Sequence, residues 1–374
     1  MAHTYTPGLK VAARHLLRRR RILPLKGDVL VRVGQTVQPD DVVARTELPG
    51  AAELCNVATL LNVEPAELPS RMLNMVGDFV AEGQVIARSK SLFGLFKSQA
   101  AAKMSGTIEK INAVTGQVLL RGPSEPVEAK AYISGTVIEI IEREGCVVET
   151  WGAFVQGIFG IGGEANGPLV LAGDSRSRRL TPELLVPEMA GKIVVGGGRA
   201  TAEALRRAIE LGVRGVVAGG FDDKDLRDFL GYDLGVAITG GEKLGLTLIV
   251  TEGFGDIDMA AKTYDLLAAN VGKLACVNGA TQIRAGVIRP EVIVPGPAPA
   301  GAAAAPDAAP AGLTVGSQVR AIRVPYFGRI GVVSALPAEP RVLESGSRAR
   351  VLEVDFGGGE KAIIPRANVE LIED

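Results

Sequence analysis

The apolar positions of this chain follow one period in its first part and another in its middle. Between Gly27 and Thr150, Val, Ile and Leu alternate with polar residues over short runs broken by glycine. That pattern predicts strands with one buried face, joined by tight turns. Two phrases share a rhythm there: Val33-Gly34-Gln35-Thr36-Val37 followed by Asp41-Val42-Val43-Ala44, and Gly77-Asp78-Phe79-Val80 followed by Gly83-Gln84-Val85-Ile86-Ala87. A second pair repeats at an offset of 29 residues. Ser105-Gly106-Thr107-Ile108 with Ile111, Gly116 and Val118 matches Ser134-Gly135-Thr136-Val137 with Ile140, Gly145 and Val147. Between 151 and 190, Gly157, Gly160, Gly162 and Gly163 crowd around Phe159 and Ile161, which predicts a tightly turned connector.

From Gly191 to about Val294 the period changes. Buried-type runs (Ile193–Val195, Gly215–Ala218, Val236–Thr239, Leu246–Thr251, Leu274–Val277) end in glycine turns. Helical spacing follows over Ala200–Leu211, over Asp222–Leu230 and through Leu267. Strand, glycine turn and helix in repetition predict a parallel α/β sheet with its glycine turns along one edge. At the start of the chain, Leu9, Leu16 and Leu17 fall on or near one side of a helical wheel. A short helix over Gly8–Arg21 is expected, ending before Pro24.

The paired glycine phrases resemble the half-motifs of barrel-sandwich hybrid domains, the fold of lipoyl and biotinyl carriers. Similar phrases occur in the largest subunits of bacterial RNA polymerase. The resemblance covers residues 27–150 and implies β modules of that kind. Carriers present a modified lysine at a hairpin tip, between Asp and Ala or between methionines. Here Ala102-Lys103-Met104 abuts Ser105-Gly106, where the next strand begins. The tip itself reads Ser91-Leu92-Phe93-Gly94-Leu95-Phe96-Lys97, so no lipoyl or biotinyl cofactor is expected. Phe93, Leu95 and Phe96 either meet a partner or fold back onto the core.

Residues 295–312 are rich in Pro and Ala, lack an apolar period, and predict an extended linker. Beyond it, Gly316-Ser317-Gln318-Val319-Arg320-Ala321-Ile322-Arg323 and Pro325-Tyr326-Phe327-Gly328-Arg329-Ile330-Gly331-Val332-Val333 are similar to a KOW motif. That motif belongs to the SH3-like barrels of NusG-type transcription factors and several ribosomal proteins, and it implies a small β-barrel over 313–374. The expected fold is therefore multi-domain and mixed. A basic arm (1–26) precedes barrel-sandwich-like modules (27–150) and a glycine-rich connector (151–190). A parallel α/β domain (191–294), the linker (295–312) and the barrel (313–374) follow, the barrel moving independently.

Charge adds asymmetry to this plan. The chain is nearly neutral at −1, yet residues 1–27 hold seven basic groups and no acid. Arg18, Arg19, Arg20 and Arg21 are candidates for contact with RNA, DNA or an anionic surface, or else they pair with acids elsewhere. Three cysteines far apart exclude a disulfide framework and any CxxC motif. The two histidines, His3 and His15, precede the first predicted strand of the β region, so no histidine triad or multi-histidine metal site is expected. No apolar run reaches 18 residues and no signal-peptide pattern opens the chain, so the cytoplasm is the expected compartment.

No catalytic residue is expected. A small anionic ligand, nucleotide or phosphate, is the candidate for the glycine turns, through Gly196, Gly197, Gly198, Thr201, Gly219, Gly220, Thr239, Gly240 and Glu252. Gly196–Gly198 does not spell GxGxxG, and no GK[ST] loop occurs. Cys276 has no histidine to activate it. In the C-terminal unit, Arg320, Arg323, Tyr326, Phe327 and Arg329 interleave basic and aromatic groups suited to a protein assembly or RNA. Its eight basic and eight acidic side chains sum to zero, which weakens the case for nucleic acid. A non-catalytic modular binding or scaffold protein is the first expectation. A ligand-binding or enzymatic α/β domain with accessory β modules is the alternative.

Overall fold

A computed structural model describes residues 9–89, 98–230, 244–282, 288–299, 313–321, 325–326, 329–342 and 348–371. Strands predominate and form several sheets, the largest of them a mixed sheet of twelve strands. Among the described residues no helix is long and apolar enough to cross a membrane.

The repeated phrases of the β region fold alike, bond by bond. The Gly34 N–H donates to the Val137 carbonyl at 2.7 Å, and the Gly77 N–H to the Ile108 carbonyl at 2.8 Å. The Arg32 N–H donates to the Gln35 side chain as the Met75 N–H does to Asp78. The Gln38 and Ala81 N–H groups bond Asp41 and Gln84 in the same way. Gly34 and Gly77 occupy equivalent turns at φ +84° and +98°, where a side chain is strained, which is why both copies keep glycine.

The two copies are nested. Val42–Leu48 pairs antiparallel with Glu125–Lys130, and Val85–Arg88 pairs with Gln99–Ala101 in the matching register. Each pairing shifts register at the same place, beside Ala129 in one and beside Ala87 in the other. The whole second copy is therefore inserted between the two arms of the first copy's hairpin. The 29-residue offset holds for Gly106–Asn112 against Gly135–Ile141 but breaks at the next turn. Asn112 pairs with Gln117, whereas Ile141 pairs with Gly145, so the second turn is one residue shorter and Val118 matches Cys146 rather than Val147.

The expected N-terminal helix is a strand, Val11–Ile22, paired along its length with Gly145–Gln156. The physical reason lies in the acid-free sequence. A helix here finds no i±4 acid to offset four consecutive arginines, whereas a strand sends alternate arginines to opposite faces and toward carboxylates on its neighbours. Leu17 then faces the core formed with Leu23, Val43, Ala131 and Ile133.

The middle of the chain is only partly parallel. Glu164–Leu171, Ile193–Val195, Gly215–Phe221 and Thr247–Phe254 run parallel, with Leu169–Leu171 opposite Ile193–Val195. Leu274–Asn278 and Glu291–Gly296 are antiparallel to their neighbours, correcting the expectation of an all-parallel sheet. Phe159–Ile161 already covers the outer edge of Thr247–Phe254, so the last two strands join at the far side, beside Glu164–Leu171. The supposed connector thus supplies two strands, and Gly145–Gln156 runs across its expected boundary at 150 into the same sheet.

Helices cover both faces of the parallel part. Ala202–Glu210 and Asp223–Leu230 bring Leu205, Ala208 and Leu226 against Val216, Ala218, Leu248 and Val250. Ala261–Ala268 brings Tyr264 and Leu267 against Val217 and Ile249 on the other face. The alternation of one strand's residues between two cores is the reason these strands read as unbroken apolar runs. The Val236–Thr239 strand expected from sequence lies outside the described residues, as do the 91–97 tip and most of the linker.

The C-terminal part forms a five-stranded antiparallel sheet from Gln318–Ala321, Ile330–Ala335, Val351–Asp355, Lys361–Pro365 and Val369–Leu371. It has its own core of Val319, Val333, Leu352, Val354, Ile364 and neighbours. It is joined to the rest of the chain by the buried ion pairs described below.

Candidate functional site

The glycine turns do gather at one edge of the parallel strands, since Arg199 lies opposite Gly220 and Gly220 opposite Gly253. The space above them is taken by the chain itself. A Cβ on Gly197 would lie 2.4 Å from the Ser175 carbonyl oxygen, and one on Gly198 2.9 Å from that of Ser177. On Gly219 it would lie 2.4 Å from the Met259 nitrogen, and on Gly220 2.4 Å from the Gly255 oxygen. Gly196, which would press on Leu180, Gly197 and Gly198 are all buried. The backbone donors are also engaged. Gly196 donates to Val217, Gly198 to Arg178 and Gly219 to Gly197. These glycines admit two crossing segments, 173–179 and 255–259, rather than leaving a cradle for an anion. Thr201 caps the helix Ala202–Glu210, its hydroxyl accepting the Ala204 N–H at 3.2 Å. Thr239 and Gly240 lie outside the described residues.

Glu252 has a different role from the one its position beside the glycines suggests. It is 6% exposed, accepts the Ala260 N–H at 3.0 Å, and forms an ion pair with Arg320 of the C-terminal sheet. Arg320 also reaches Glu370 at 3.4 Å, and Glu370 is met from the other side by Arg289 at 3.3 Å. Two arginines and two glutamates so form one chain of charge, with Glu370 fully buried. Burial pushes the Glu370 carboxyl above its usual range, with the Arg320 and Arg289 charges opposing and the Glu252 charge adding to it. The candidate ligand residue and the candidate partner residue are therefore each other's partners. Residues 68 positions apart carry no sequence signal for this pairing.

Of the remaining C-terminal candidates, Tyr326 and Arg329 lie together at the border of this unit's core, against which Tyr326 and Phe356 pack. Tyr326 and Phe356 stack with ring centroids 5.3 Å apart, and the Arg329 guanidinium lies 4.3 Å from the Phe356 centroid. Glu360 binds the same guanidinium through two bonds, at 2.7 and 2.8 Å. Arg329 thereby holds Glu360 below the usual carboxylate range. Ile330, Val332 and Ile363 are 45%, 41% and 51% exposed on the outside of this sheet. Arg323 and Phe327 lie outside the described residues.

Three of the four N-terminal arginines meet acids. Arg18 pairs with Glu149 at 2.7 Å, Arg19 with Glu291 through Nε at 2.8 Å, and Arg21 with both oxygens of Glu164 at 2.7 Å. Arg20 points to solvent. Glu291 also accepts the Tyr132 hydroxyl at 3.1 Å, and Arg21 lies over the Tyr132 ring. Burial, reinforced by the Glu291 charge, pushes the Tyr132 phenol well above its usual value against the opposing charge of Arg19. Sequence reading missed Tyr132 and Glu291 because neither stands in a motif.

All three cysteines are buried. Burial pushes the Cys276 thiol up to about 12 and raises that of Cys146, which leaves both protonated and unsuited to nucleophilic attack at neutral pH. Among the described residues no group of three His, Cys, Asp or Glu side chains is placed to hold a metal ion. No protein-family model and no curated protein matches this chain, and its functional reading rests on the geometry of these residues.

Proposed function

We propose that this chain is a non-catalytic modular binding protein that engages a protein assembly through the outer face of its C-terminal sheet. In this reading the nested repeats are barrel-sandwich-like modules and residues 313–374 are an SH3-like barrel with a KOW-like first turn. One observation carries it. The outer face of the barrel sheet is only partly covered, with Arg320 and Glu370 buried against the large sheet while Ile330, the cross-strand partner of Arg320, and Val332 and Ile363 remain in solvent on the same face. Apolar side chains left exposed on the uncovered part of a sheet face, next to a face already used for docking, suit contact with a protein surface. RNA is the weaker partner, because Arg320 is buried and Arg329 already binds Glu360, so neither offers a free cation to phosphate.

The test is native co-purification with quantitative mass spectrometry, comparing the wild type with a Val332→Ser/Ile363→Ser double variant. Both positions are exposed, so stability should change by no more than ~0.5 kcal/mol each. The expected result is loss of a stoichiometric protein partner at unchanged Tm. Partners retained in full, or a nucleic acid lost in their place, would overturn the reading.

A further inference from the structure

The strand Val11–Ile22 pairs with Gly145–Gln156 along one edge, and among the described residues no strand pairs with its other edge. Two cavities of about 270 and 400 Å³ lie end to end along it. The first is lined by every residue from His15 to Arg19, and the second by every residue from Arg20 to Pro24. The first cavity also touches Phe154 and Gln156 of the paired strand, whereas the second has no residue of that strand in its lining. A strand offers only alternate residues to a cavity on one face, so the second, lined by consecutive residues, follows the open backbone edge. The far wall of the second cavity is Val127, the exposed Glu128 and Ala129, part of the strand Glu125–Lys130, which among the described residues pairs on one side only, with Val42–Leu48. Two open strand edges thus face each other across the groove. The Arg21 Nε bridges them at one point, donating to the Lys130 carbonyl at 2.6 Å.

An open edge offers N–H and C=O groups in alternation, which a peptide strand satisfies and a phosphate backbone does not. The charge along it selects the occupant further. Residues 1–27 contain no acid, and the exposed face of the strand shows Arg18 and Arg20 two positions apart. Two copies of this edge would oppose like charges, which disfavours pairing between copies. Arg18, Arg19 and Arg21 already face carboxylates, which weakens the groove for RNA while leaving its backbone edge available.

We propose that this groove binds an extended acidic peptide segment of a partner protein. The segment adds as a strand to the open edge of Val11–Ile22, with an acidic side chain over the exposed Arg20. This contact is separate from the C-terminal face and does not depend on it.

The experiment uses the full chain and a fluorescent peptide of alternating Glu and Val. Its comparators are a block-sequence peptide of the same composition, two versions N-methylated at odd or at even residues, and an oligouridylate. The alternating peptide is expected to bind, the block peptide to bind about tenfold more weakly, and at least one N-methylated version to lose about tenfold. Bound peptide should slow amide exchange within residues 15–22. Arg20→Glu should weaken binding about tenfold at low salt, and Arg20→Gln by less, with unchanged circular dichroism. Equal binding by both N-methylated versions, protection confined to other segments, no peptide binding at millimolar concentration, or tighter binding of the oligouridylate would each overturn the proposal.

Discussion

Replacing Arg320 by alanine tests how the C-terminal sheet is held. The substitution strands two carboxylates, Glu252 at 6% and Glu370 at 0% exposure. Removing one member of a buried ion set typically costs about 3–5 kcal/mol, because the partners keep their desolvation penalty without the attraction. Glu370 retains Arg289 at 3.3 Å and Glu252 retains the Ala260 N–H, so the low end, about 3 kcal/mol, is expected. The sheet has a core of its own, so the loss should appear first as undocking rather than as global unfolding. Calorimetry should resolve an earlier, separate transition, and amide exchange should quicken in Glu252–Ala260 and Val369–Leu371. A Glu252→Gln/Arg289→Met/Arg320→Met/Glu370→Gln variant, which removes all four charges together, should recover most of the loss. If Arg320→Ala costs less than about 1 kcal/mol and exchange at Glu252–Ala260 is unchanged, the ion set does not hold the sheet in place.

Gly219→Ala should destabilise by about 2–3 kcal/mol in urea melts, since its Cβ would lie 2.4 Å from the Met259 nitrogen, while Gly296→Ala, with nothing within 4 Å, should be nearly neutral. Gly34→Ala and Gly77→Ala should each cost about 1–2 kcal/mol by the same measurement, because both sit at positive φ in open space; very unequal costs would count against equivalent turns. Cys276 should resist thiol reagents at pH 8 in the folded protein and react on denaturation. Its folded value of about 12 exceeds the ordinary thiol value of 9.0, so the folded state binds the extra proton between those limits. Stability should therefore fall as pH rises from 9 toward 12, by a few kcal/mol from Cys276, and this dependence should become shallower in Cys276→Val, the raised Cys146 and Tyr132 supplying what is left.

Local rules were legible where neighbours in sequence settle the outcome. The helical spacing of Ala204, Leu205, Ala208 and Ile209 made the helix Ala202–Glu210 readable, and the paired glycine phrases marked turns that fold alike. Glycine crowding near 196–198 and 219–220 was visible as well, but not its reason. A loop that binds an anion and a loop crossed by another backbone need the same missing side chain, and only the crossing segments at 173–179 and 255–259 tell them apart.

Pairing over distance belonged to the tertiary structure alone. Val11–Ile22 has a helical apolar spacing, yet it is a strand because Gly145–Gln156 supplies its hydrogen bonds and Glu149, Glu164 and Glu291 receive its arginines. Leu274–Asn278 has the composition of a parallel strand, yet it joins beside Glu164–Leu171 and runs antiparallel to it, the outer edge of Thr247–Phe254 being occupied by Phe159–Ile161. Arg320 and Glu252 each read as a binding residue, and burial joins them instead. A charge can be identified from sequence, but its cost and its partner depend on which distant groups share its low-dielectric surroundings.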